Sequence, residues 1–113
     1  MDLSMGAEAE LFWADDEMIL YKYGSYNNFF SEYQNCEHIT DGLISIRQSC
    51  FKDDHSPTLL SCLKDGLIRI ENTSNCWSQT PSGYDSMAIR VLDRIFNQYY
   101  FRHTLPNKIG FNY

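Results

Sequence analysis

Positive charge is scarce in this chain: nine lysines and arginines stand against fifteen aspartates and glutamates, a net charge of −6. The shortage is concentrated early. Residues 1–41 hold nine acids and one base, Lys22, whereas residues 42–113 hold six acids and eight bases. Such a balance repels phosphate backbones and anionic membrane surfaces, so direct binding of nucleic acid or membrane is not expected. Long apolar runs are also lacking, and none approaches the roughly 20 residues of a membrane span. The opening MDLSMGAEAE has acids where a secretion signal needs basic and then apolar residues. That leads us to expect a cytoplasmic protein with reduced thiols. With three prolines, six glycines and no low-complexity tract, nothing marks a linker, and the 113 residues read as one domain, 1–113.

Signatures of catalysis and metal binding are missing too. The four cysteines, Cys36, Cys50, Cys62 and Cys76, lie 14, 12 and 14 residues apart with no CxxC. Structural zinc takes paired ligands from tight turns, so neither a metal nor another cofactor is expected. There is no GxGxxG, no GxxxxGK followed by Ser or Thr, and no GxSxG. Without those phosphate cradles and nucleophile turns the chain reads as a non-enzyme. Cys36 with His38 and Cys50 with His55 define the alternative, a small Cys/His-dependent enzyme, since a thiol beside an imidazole is the minimal activated nucleophile.

What is present is periodicity. DGLISIR at 41–47 and DGLIRIE at 65–71 form a near-repeat offset by 24 residues. Asp-Gly before apolar alternation predicts a tight turn leading into a strand, twice, with Ile44 and Ile46, then Ile68 and Ile70, on one face. EMILYKYGSY predicts another strand, in which Ile19, Tyr21 and Tyr23 alternate with Met18, Leu20 and Lys22 after a turn at Asp15-Asp16. The intervening SPTLLSCLKDG fits a short helix framed by Ser56, Pro57 and Gly66. It also fits a strand at 59–64 closing a hairpin on 67–71, which is narrowly preferred. From about 84 to 103, Tyr84, Ala88, Val91, Leu92, Ile95 and Tyr99 recur at helical spacing, with Asp85, Arg90, Asp93, Arg94 and Asn97 largely opposite. The tail KIGFNY adds an edge strand or frays. The expected class is α+β: an antiparallel sheet of about four to six strands with a long amphipathic C-terminal helix packed on one face.

For function the informative stretch is 7–37, where eight aromatic and seven acidic residues meet one base. Phe12, Phe29 and Phe30 are assigned to the core. Tyrosine and tryptophan carry a polar tip and serve well at partly exposed interface positions. Carboxylates around them steer a cationic surface into place. The candidate binding residues are therefore Glu10, Trp13, Asp15, Asp16, Glu17, Tyr23, Tyr26, Glu32 and Glu37. In size, in the acidic ELFWADDE, in the tyrosine-rich ILYKYGSYNNFF and in its lack of site chemistry, the chain resembles bacterial immunity proteins of the contact-dependent growth inhibition type. The resemblance implies a small cytoplasmic inhibitor in a 1:1 complex with a basic protein toxin, often a nuclease, blocked by occlusion. A nucleic-acid mimic that inhibits a DNA-binding protein is the related alternative.

Overall fold

The computed structural model describes residues 5–34, 39–51, 58–71 and 76–112. Among them the chain forms β1 (Met5–Ala14), β2 (Met18–Asn27), β3 (Gly42–Arg47), α1 (Leu59–Lys64), β4 (Ile68–Glu71), α2 (Ser86–Arg102) and β5 (Lys108–Asn112). Short 3-10 turns occupy Ser31–Tyr33 and Gln48–Phe51. The five strands pair antiparallel in the order β4-β3-β2-β1-β5. The α+β expectation holds, including the long C-terminal helix on one face.

Period-two alternation decides which face that is. Ala7, Ala9, Ile19, Tyr21, Tyr23, Ile44, Ile46 and Ile68 turn inward and are buried. Met87, Ala88, Val91, Leu92, Ile95 and Phe96 of α2 close over them. Each large side chain buried there contributes about 1.5–3 kcal/mol, which outweighs the weak helix propensity of Val91 and Ile95. Asp85 starts α2, its carboxylate accepting from the backbone N–H of Met87 and Ala88 at 3.0 and 3.3 Å. His103 ends it in the left-handed region, φ 56°. The Tyr21 hydroxyl donates to the Pro106 carbonyl at 2.7 Å and ties the return path to the sheet. Among the described residues no helix is long and apolar enough to cross a membrane.

Two sequence expectations fail, both over Asp-Gly. The hairpin preferred over 56–66 is instead the helix α1. Thr58 caps it through a bond from Ser61 N–H at 3.2 Å, while Ser56 and Pro57 lie outside the described residues. Gly66, at φ 76°, terminates α1: its N–H bonds Leu63 and the N–H of Leu67 bonds Cys62. That pair of bonds is the Schellman arrangement, so positive φ is spent on a helix end and not on a hairpin turn. In the first copy Gly42 opens β3 without positive φ, and β2 reaches β3 through the longer connection 28–41. The strands of both copies are real neighbours, with Ile44 opposite Ile70 and Ile46 opposite Ile68.

Candidate functional site

β1 and β2 form a long hairpin whose turn is built by Asp15. Its carboxylate accepts from the N–H of Glu17 and of Met18, both at 2.8 Å, and from the Trp13 indole at 3.4 Å. The Glu17 N–H first, then that of Met18, hold the Asp15 carboxyl below its ordinary range. Gln48 braces the turn, donating from its backbone N–H to Glu17 O and from its side chain to Asp15 O, each at 2.9 Å.

The register shifts between Leu11 and Trp13. Leu11 lies opposite the inward Tyr21, yet Trp13 lies opposite the outward Leu20. A bulge therefore turns two successive aromatic residues away from α2. Phe12 is 46% and Trp13 56% exposed. Lys22 Nζ stands 5.4 Å from the Phe12 ring centroid. The half-buried Met18, Leu20 and Leu43 share this open face by register. β5 pairs with β1 only as far as Glu10, so the edge at Phe12 to Ala14 extends past its neighbour. An apolar platform thus ends in the exposed carboxylates Asp15, Asp16 and Glu17.

The remaining candidates do not join that platform as one acidic surface. Glu10 sits between Lys22 on β2 and Lys108 on β5, which offset its charge. Arg47 lies opposite Met18 near the turn. Glu32 follows the far end of β2, about 30 Å from the hairpin turn at the usual strand rise. Tyr26 is half-buried near that same far end. Glu37 lies outside the described residues. Tyr23 is a correction: it is buried, and its hydroxyl donates to both carboxylate oxygens of Asp85 at 3.0 Å, so it has no surface to offer. Burial and the neighbouring Asp85 push its phenol well above the ordinary range. The core assignment of Phe12, Phe29 and Phe30 fails in the other direction, since Phe29 and Phe30 follow the end of β2 and are exposed.

The structure thus gathers Trp13, Asp15, Asp16 and Glu17, and adds Phe12, Met18 and Leu20, which the sequence reading left out of the site. The signal for Phe12 was available. In AEAELF the acids alternate with Ala7, Ala9 and Leu11, which places Phe12 on the acids' face.

A second concave region runs along β4, a cleft of about 500 Å³ whose lining includes Cys76 and Asp85. Burial, then the charge of Asp85, raises the Cys76 thiol above its ordinary value. The thiol bonds Ser78 O at 3.6 Å. A nucleophile needs the opposite shift. Burial also raises Asp85, whose oxygens are committed to Tyr23 and to the start of α2. Cys50 and Cys62 are buried side by side in the core, and burial pushes Cys50 up to about 12. Cys36, His38 and His55 lie outside the described residues. Among those described, no three His, Cys, Asp or Glu side chains gather as a metal site requires.

Compared with protein-family models, curated proteins and solved structures, the chain matches none.

Proposed function

We propose that this chain is a binding protein, an inhibitor of the immunity type, which docks a basic protein toxin through the end of its β1–β2 hairpin. It acts in the cytoplasm in a 1:1 complex and performs no chemistry of its own. The carrying observation is the bulge that exposes Phe12 and Trp13 together beside Asp15, Asp16 and Glu17. Aromatic anchors supply the apolar contact, and the carboxylates select a cationic partner and speed its approach. A nuclease fits that description, because a surface that holds phosphate is cationic. The candidate face is smaller than the sequence suggested, confined to one end of the sheet.

A photo-crosslinking residue in place of Phe12, used in the source cell, tests this directly. The expected product is one dominant adduct with a basic protein, abolished by D16K/E17K. Adducts spread over many proteins, or one acidic partner unaffected by D16K/E17K, would place the interface elsewhere. Asp15 is left intact because it builds the turn.

A further inference from the structure

A strand at the rim of a sheet has half of its backbone groups turned away from its neighbour, and register decides which half. Arg47 N–H donates to Leu67 O at 2.9 Å, directly opposite in the β3–β4 ladder. Alternation then makes Ser45 with Arg69, and Leu43 with Glu71, the hydrogen-bonded pairs. The N–H and C=O groups of Ile68 and Ile70 consequently point outward, away from β3. All four residues of β4 line the cleft beside this rim, which Cys76, Gln79 and Tyr84 line as well, so a partner strand reaches the edge through that cleft. The opposite rim strand, β5, exposes Lys108 and Gly110, and a lone edge lysine is a common guard against pairing. β4 is different. It exposes a base and an acid two residues apart, Arg69 and Glu71.

We propose that β4 is a self-pairing edge, through which two copies of this chain join antiparallel into one continuous sheet. A two-fold axis at Ile70 places Ile70 opposite Ile70 of the second copy, where their outward backbone groups exchange hydrogen bonds. That register sets Arg69 opposite the second copy's Glu71, twice, on the face away from α2. Sliding the copies to pair Ile68 with Ile70 would instead oppose arginine to arginine. Charge therefore selects a single register. The half-buried Ile70 side chains meet on the helix-bearing face and cover one another. Four-residue strands bury little area, so the dimer is weak and concentration-dependent. β4 lies three strands from β1, and only Met18 of the hairpin platform shares a groove with Arg69 and Glu71.

Sedimentation velocity on the full chain, from about 10 µM to about 1 mM, brackets a weak dimer. The native chain is expected to move from one to two copies across that range. R69E leaves two acids on the edge and E71R two bases, so each variant alone should remain a single copy. Mixed one to one they should form a heterodimer, and R69E/E71R should self-associate again. Amide exchange of the native chain gives a reading that needs no variant: the Ile70 amide should become protected as concentration rises. A native chain that stays single to 1 mM, single variants that associate like the native chain, or an unprotected Ile70 amide in a dimer would each overturn the proposal.

Discussion

Asp85 receives bonds from the Tyr23 hydroxyl and from the first free N–H groups of α2, all within 6% exposed surface. D85A removes a helix cap and the acceptor of the buried Tyr23 hydroxyl, so it should cost about 2–4 kcal/mol in urea unfolding. D85N keeps a capping oxygen and should cost less than about 1 kcal/mol. Burial raises the folded pKa of Asp85 above the ordinary 3.8 of an aspartate. Between those two values the folded state holds more proton than the unfolded state. This contribution to stability is full below 3.8 and is lost as pH rises through the folded pKa. The native chain should therefore lose ground to D85N as pH rises above 3.8, and a constant difference across that range would contradict the assignment. Asp15 has the reverse sign, because its folded value is lowered; what it adds disappears as pH falls through that value. D15A should accelerate amide exchange at Glu17 and Met18, the two N–H groups it holds.

Elements meet at positions where backbone approaches backbone. A Cβ on Gly24 of β2 would run into the carbonyl oxygen of Ile39 and crowd the Cα of Thr40. Neither is the end of a flexible side chain, so G24A should cost several kcal/mol, on the order of an overpacked core, or prevent folding. Nothing stands near a Cβ at Gly66, where only φ 76° is at stake. G66A should cost about 1 kcal/mol, the ordinary penalty for a left-handed alanine at a helix end. Thermal melts of the two variants distinguish the causes, and equal destabilisation would deny the close approach at Gly24. The same comparison explains why Asp-Gly misled the hairpin reading. A glycine that supplies positive φ serves a tight hairpin and a helix end equally, and α1 takes it because Cys62 and Leu63 become buried only on a helix.

At the scale of the whole molecule, charge is distributed rather than pooled. Glu10 lies between two lysines, and Glu32 lies far from Asp15, Asp16 and Glu17. Among the described residues Asp15, Asp16 and Glu17 cluster at the hairpin turn, with Arg47 nearby. Steering by so local a cluster should be screened readily. Raising salt from about 0.05 to 0.5 M should slow association with the proposed cationic partner by roughly tenfold while changing dissociation little. Surface plasmon resonance on the captured pair measures both rates. A salt-independent association rate would mean that Phe12 and Trp13 act without electrostatic help.

The alternation of Ile19, Tyr21 and Tyr23, the isoleucine pairs of the two DGLI segments and the helical spacing from Ala88 to Ile95 sufficed to determine the sheet, its buried face and the covering helix. Burying an apolar side chain depends on period alone, and period is local. Sequence likewise marked Trp13 and the Asp15-Asp16 turn as surface features. It did not decide which aromatics stay in water, because Tyr23 and Trp13 have similar polar tips. One is inward, bonded to an aspartate 62 residues away, and the other is outward through a register shift. Nor did it decide how the carboxylates would be shared out, since Lys108 comes beside Glu10 only when β5 returns to β1. Bulges, cross-strand neighbours and distant hydrogen-bond partners exist only once the chain has closed on itself, and they are what define the exposed hairpin end.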